Sequence, residues 1–86
     1  MGVFFMYSTY VIYSNTSLKK YTGHTEDIKQ RLHQHNEGLL GIYTKNKGPW
    51  VLIHCENFES RTKAIQREKY LKTGVGRDWL KKMYNI

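Results

Sequence analysis

The chain has a single cysteine, a single proline and only seven acidic residues among 86. The lone Cys55 can close no internal disulfide, which excludes a small disulfide-stapled fold and points to a reducing compartment. The paired ligands of a zinc site are missing as well, so Cys55 reads as a small buried hydrophobe. No apolar run is long enough to span a bilayer, and Val3 to Met6 is too short for a signal sequence. The expectation is therefore a cytoplasmic protein with no membrane partner. Internal repeats, linkers and low-complexity segments are also lacking. Residues 1–86 should form one domain with one modest core.

What is present is aromatic and basic. Hydrophobic residues make up 40% of the chain, and seven Tyr, three Phe and two Trp place it among globular proteins. The formal charge is +7 and the pI about 9.6. From Ser60 to Ile86, eight Lys and Arg face only Glu68 and Asp78, a local excess of six. Such a concentration favours a polyanionic partner, nucleic acid ahead of a membrane surface; a merely solvated face is the plain alternative.

Residues 3–14 are rich in aromatic and β-branched types without a breaker and predict a strand, with Tyr10 and Ile12 on one face and Thr9, Val11 and Tyr13 on the other. Asn15-Thr16-Ser17 predicts a turn, and Leu18 to Gly23 the returning strand of a hairpin. A helix is expected over residues 25–37, with Thr25 as N-cap, Glu26 and Asp27 in its first turn and Gly38 as a left-handed stop. Residues 38–48 read as a loop, and Pro49 to Cys55 as a third strand with the proline at its first position. Ser60 should cap a helix from Arg61 to Lys72, ended by Gly74-Val75-Gly76. A last helix, Arg77 to Asn85, should carry Trp79, Leu80, Met83 and Tyr84 on one face. The order β-β-α-β-α-α with a hairpin predicts an α+β fold.

Two features exceed what folding alone demands. On the first helix, Ile28 and Leu32 face a core, while Asp27, Arg31 and His35 form a second series beside them, close to Tyr21 and His24. Arg31 has a plain alternative role, an ion pair with Asp27 four residues earlier. On the second helix, Ala64, Glu68 and Leu71 share a stripe, so Glu68 interrupts the apolar face. A carboxylate there needs a partner. That partner is either Arg31 or a lysine, in a simple salt bridge, or a hard divalent cation such as Mg²⁺, which takes one or two protein carboxylates and keeps its remaining positions for water and phosphate oxygens. Together with Arg31, Tyr21 and the basic surface, Glu68 suggests a phosphodiester site.

These residues resemble the GIY-YIG endonuclease superfamily, and most closely its small single-domain branch, which is similar to the N-terminal nuclease domain of the bacterial excision-repair incision subunit. The second motif stands as Tyr21-Thr22-Gly23 and the first as Ser8-Thr9-Tyr10, of which only the tyrosine is kept. Arg31 takes the arginine position of the helix, and Glu68 in Gln66-Arg67-Glu68-Lys69 matches the metal-binding glutamate. The string Gly41-Ile42-Tyr43 spells the first motif but follows the second and sits in the loop, so Tyr10 is the counterpart. The late polar residue of the family, often asparagine, has no match. The resemblance implies a three-stranded antiparallel sheet flanked by helices, with both tyrosines near one metal ion.

It also implies a mechanism: hydrolysis of a DNA phosphodiester by an activated water with a single Mg²⁺ or Mn²⁺ on Glu68. Arg31 would bind a non-bridging oxygen, and Tyr10 or Tyr21 would take the water's proton with help from His24 or His35. A phenol ionises near pH 10, so that tyrosine needs cationic neighbours. Lys45, Lys47, Arg67, Lys69, Lys72 and Arg77 read as phosphate-positioning charges without base readout. The expected substrate is branched or damaged DNA in repair or recombination, within a larger repair complex or alone. The alternatives are a non-catalytic nucleic-acid-binding module and an interaction subunit of a larger nuclease. The nuclease reading requires Tyr10, Tyr21, Arg31 and Glu68 to meet in a single shallow, water-accessible pocket, with the Glu68 carboxylate on the same side of the sheet as the phenols.

Overall fold

In a computed structural model that describes residues 6–86, strand β1 (Tyr7–Ser14) is the centre of the molecule. It pairs antiparallel with β2 (Lys19–Thr25) on one side and β3 (Val51–Phe58) on the other, giving the sheet order β2-β1-β3. The chain is thus α+β with the order β-β-α-β-α-α. The expected first strand began at residue 3; its residues 3–5 lie outside the described ones. Alternation along β1 divides the core. Tyr10 and Ile12 pack with Trp50, Ile28 and Leu32, on the side of helix α1 (Ile28–Asn36). Val11 packs with Leu71 and Leu80, on the side of α2 (Arg61–Leu71) and α3 (Gly74–Tyr84). Helices therefore cover both faces.

The first expected helix start is corrected by the sheet. β2 continues past Gly23 because His24 and Thr25 still pair with Thr9 and Ser8, and residues held in a ladder cannot also open a helix. The N-cap of α1 is Asp27, whose Oδ1 accepts from the Gln30 N–H at 3.1 Å. Thr25 instead accepts the Asp27 N–H at 3.1 Å in the turn before the helix, and Glu26 lies outside the first turn, paired with Arg61. Gly38, at φ +74°, ends the helix region in the left-handed conformation, as its position predicts.

Residues 38–48 form turns. The end of this loop is clamped to α1 by Asn36, whose Oδ1 accepts from the Trp50 N–H at 2.6 Å and whose Nδ2 donates to the Trp50 carbonyl at 3.2 Å. β3 starts after Pro49, at Val51, and runs three residues beyond Cys55. Its pairing with β1 is irregular between Val11 and Ile12, which face His54 and Leu52 and leave Ile53 over. Such a bulge allows Ile53 and His54 both to pack towards α3. Cys55, expected to be buried, is exposed. It lies on an edge strand opposite Tyr10, and α1 packs on β1 rather than over this part of β3.

The second helix begins as expected, with the Ser60 hydroxyl accepting from the Lys63 N–H. Gly74-Val75-Gly76 does not end it. These residues are the first turn of α3, capped by Thr73, whose Oγ1 accepts from the Gly76 N–H at 3.2 Å. Gly76 is required by close approach: a Cβ there would run into the Tyr70 carbonyl and the Leu71 Cα. Trp79, Leu80 and Tyr84 of the expected face turn inward, whereas Met83 is 56% exposed, off the narrow stripe that Gly76, Leu80 and Tyr84 make at four-residue spacing. Among the described residues, no helix is long and apolar enough to cross a membrane.

Because the Cβ of residue 76 would meet backbone rather than a flexible side chain, Gly76→Ala should push α3 off α2. The expected cost is roughly 1–3 kcal/mol, read as a lowered urea midpoint with unchanged slope.

Candidate active site

The site is built around an absence of side chain. Tyr10 and Gly23 are directly opposed in the β1–β2 register, and the Tyr10 ring lies across Gly23. A Cβ on residue 23 would stand 2.6 Å from Tyr10 Oη and 2.8 Å from its Cζ. The glycine of the Tyr21-Thr22-Gly23 triplet therefore has a steric cause, independent of its backbone freedom.

Beneath it, Tyr10 is fully buried and its Oη lies 2.8 Å from His35 Nε2. His35, 2% exposed, is held on its other side by Thr44 Oγ1, 3.0 Å from Nδ1. Burial, and after it the Arg31 guanidinium, push the His35 pKa below its ordinary value, so the ring is neutral near pH 7. One nitrogen then accepts and the other donates, so the Tyr10 and Thr44 hydroxyls take opposite roles towards the ring. Burial also raises the Tyr10 pKa well above that of a free phenol; Tyr21 and Glu68 add to the rise, and Arg31 opposes it.

Tyr21 is half-buried, its ring 4.9 Å from the His35 ring, 6.4 Å from Tyr10 and 5.6 Å from Tyr43. The Lys72 ammonium lies 5.9 Å from the Tyr21 ring centre. Lys72 in turn donates to Glu68 Oε2 at 2.6 Å, and Glu68 Oε1 is 2.5 Å from His24 Nδ1. Burial alone would raise the Glu68 pKa, but Lys72 and His24 more than offset it and hold the carboxyl below the usual range. Glu68 is thus an ionised carboxylate at neutral pH.

The tyrosines and Glu68 belong to helix layers on opposite faces of the sheet, and Lys72 links them across the outer strand β2, donating to Glu68 and lying 5.9 Å from the Tyr21 ring centre. Tyr10, Tyr21 and His35 lie on the α1 side, while Glu68 comes from α2 and reaches His24, next to Gly23. The expectation of one water-accessible pocket is corrected: Tyr10 has no exposed surface, because the α1-side core closes over it, Arg31 and Tyr21 line different grooves, and Glu68 lines neither. Two grooves reach the cluster. One, of about 640 Å³, is lined by His24, Thr25, Glu26, Asp27, Arg31 and Arg61 among others. The other, of about 570 Å³, is lined by Lys20, Tyr21, Tyr43, Lys72 and Arg77 among others.

The plain alternatives resolve in different ways. Arg31 does not pair with Asp27, which caps the helix; among the described residues no carboxylate forms a salt bridge with Arg31. Glu68 is salt-bridged to Lys72, one of the two partners that its position predicts. Arg67 is turned to the β3 side, where it donates to Glu56 Oε2 at 2.9 Å and stacks on Tyr70 and Trp79. It is therefore occupied in holding α2 to β3. Lys45 and Lys69 are exposed, and the Lys47 ammonium lies 5.0 Å from the Tyr43 ring centre. Three residues absent from the sequence-based set enter the site: Thr44, Lys20 and Tyr43. The pair Lys19-Lys20 directly before Tyr21 was a legible signal for the second; nothing local marks Thr44.

No group of three or more His, Cys, Asp and Glu among the described residues converges as a metal cage. The donor set instead suits a hard cation that needs one carboxylate. The Lys72 ammonium already sits as a cation on Glu68, on a side chain that is 47% exposed.

Two outcomes test this geometry. Gly23→Ala should displace the Tyr10 ring and cost roughly 1–3 kcal/mol, and in a Tyr10→Leu background that cost should shrink. His35 has a folded-state pKa below its ordinary 6.5, so the stability it contributes is present above that pH and lost as pH falls through the folded value. Chemical denaturation at about pH 7.5 and about pH 5 should therefore show a loss on acidification that His35→Gln reduces.

Comparison with known proteins agrees with the fold. The family model described as the GIY-YIG catalytic domain matches residues 6–85. A UPF0213 protein of Haloquadratum walsbyi is 40% identical over 53 residues, 62% of this chain and 60% of that protein. A UPF0213 protein of Bacillus velezensis is 41% identical over 59 residues, 69% of this chain and 59% of that protein. The matched part thus spans less than two thirds of the length of either relative. The solution NMR structure of a UPF0213 protein from Bacillus halodurans superposes with a TM-score of 0.54 at 25% identity, covering 92% of this chain and 85% of that one. With that family model matching nearly its whole length, the chain belongs to the GIY-YIG catalytic-domain family.

Proposed function

We propose that the protein is a metal-dependent endonuclease that hydrolyses phosphodiester bonds of DNA in the cytoplasm, acting in repair or recombination on branched or damaged substrates, alone or in a larger complex. The observation that carries this reading is the Glu68 carboxylate paired with His24 and with the exposed Lys72, which also lies over the half-buried Tyr21. When Mg²⁺ or Mn²⁺ is bound, Glu68 holds it, and the ion supplies Lewis-acid stabilisation of the phosphate and the leaving oxygen.

The chain's own groups do the rest. Arg31, without a carboxylate partner and lining the same groove as His24, binds the non-bridging oxygens through its planar fork. Water attacks phosphorus, the bond from phosphorus to the 3′ oxygen breaks, and that oxygen leaves as an alcohol after taking a proton from solvent. Tyr21, rather than Tyr10, contacts the attacking water: as a phenolate whose own proton has gone to solvent, it accepts the water's proton and returns to the neutral phenol. The Tyr10 hydroxyl is buried and committed to His35, and its pKa is raised, all of which oppose its acting as a base. Tyr10 and His35 then act as positioning residues under Gly23 and Tyr21, and His24 orients the Glu68 carboxylate.

One observation favours a binding module without cleavage: both Glu68 oxygens already have partners. Nicked, branched and linear DNA incubated with Mg²⁺, Mn²⁺ or EDTA decide between the two. Cleavage should require the metal, vanish in Glu68→Ala while DNA binding persists, and fall on the order of 10²–10³-fold in Arg31→Ala. Tyr21→Phe should lose more activity than Tyr10→Phe. Salt-sensitive binding with no product under any condition would leave the binding module standing.

A further inference from the structure

The groove between β2 and the α2–α3 corner is unusual in its charge. Lys20, Lys72 and Arg77 line it, with no carboxylate among its described lining residues; Lys72 is paired with Glu68 behind it, and Lys20 and Arg77 form no salt bridge among the described residues. Lys81 and Arg77 lie close enough to Lys20 to depress its pKa, an effect second only to its burial, with Asp78 as the sole counterweight. Gathering like charges opposes folding, so their presence in one groove calls for an anionic ligand with repeated charge. The second groove at the site is different: it carries Glu26 and Asp27 alongside Arg31 and Arg61.

The basic groove also offers aromatic faces. The Tyr43 ring packs 5.6 Å from Tyr21 and remains 52% exposed, and its hydroxyl donates to the Lys20 carbonyl at 3.4 Å, which ties the loop to β2. The Lys47 ammonium stands 5.0 Å from that ring. Cations along a groove, with an exposed aromatic ring at its wall, match a nucleic-acid strand whose bases are free to stack; paired bases in a duplex present no face to a side chain.

We propose that this groove binds an unpaired DNA strand, with one base stacked on Tyr43 and the backbone held by Lys20 and Arg77, and that it delivers that strand to Glu68. The delivery rests on the nuclease reading; the binding does not. The acids in the second groove make the two sides of the site unequal, so the strand is gripped on one side of the scissile phosphate more than on the other.

Fluorescence anisotropy in EDTA, with a single-stranded oligodeoxynucleotide and a duplex of equal length, tests the groove without any cleavage. The single strand should bind more tightly. Tyr43→Ala should weaken it on the order of ten-fold and leave the duplex unchanged, while Tyr43→Phe, which keeps the ring, should bind as the wild type does. Lys20→Gln and Arg77→Gln should each flatten the slope of log affinity against log salt by about 0.7. Equal loss for single strand and duplex in Tyr43→Ala, a preference for duplex, or unchanged salt slopes would overturn the proposal. Intact single-strand binding with no cleavage in Mg²⁺ would overturn the nuclease reading alone.

Discussion

Tyr10 lies across Gly23 with no space for a methyl group between them, and most of the site follows from that contact. The ring can reach the α1 side only because its cross-strand partner has no side chain, and once there its hydroxyl meets His35. His35 is in turn held by Thr44, and the loop carrying Thr44 is held by Trp50, whose Nε1–H donates to the Thr44 carbonyl at 3.0 Å. A chain of buried polar contacts thus connects the central strand, the first helix and the loop. Among the described residues no buried side-chain nitrogen or oxygen is left without a partner. In a domain this small, a satisfied polar network of that kind fixes one arrangement of the elements where apolar packing would tolerate several.

The fold contains two histidine–glutamate clusters, and their difference separates a site from a strut. At the β3 edge, His54 contacts Tyr84 and Glu56, and Glu56 also accepts from Arg67. Burial would raise the Glu56 pKa, but His54 and Arg67 outweigh it, and Arg67 is further covered by Tyr70 and Trp79. Every member is used in binding α2 and α3 to the sheet. At the β2 edge, His24 and Glu68 make a similar pair, but the third member is Lys72, on an exposed stem that lines the basic groove. The same chemistry is rigid in one place and open to exchange in the other.

Much of this was legible in the chain itself. The apolar alternation in Thr9 to Ile12 assigned the two faces of β1, and Ile28 and Leu32 marked the buried side of α1. Ser60 and Gly38 acted locally and did what their positions predicted. The misread places share one cause. Thr25 and Gly74-Val75-Gly76 have local preferences that point one way, while a neighbouring strand or helix imposes another. Cys55 and Met83 likewise have apolar side chains at positions that no second layer covers.

By itself, the order of residues determined the elements, the family likeness and the four positions Tyr10, Tyr21, Arg31 and Glu68, because those depend on spacing along one chain. Only the tertiary structure decided that the tyrosines and Glu68 lie on opposite faces of the sheet with Lys72 between Glu68 and Tyr21, that Tyr10 is sealed while Tyr21 is half-buried, and that Arg67 faces away. Those outcomes depend on which strand lies at the edge and on how closely helices approach, and such distances are set by packing between segments far apart in the chain.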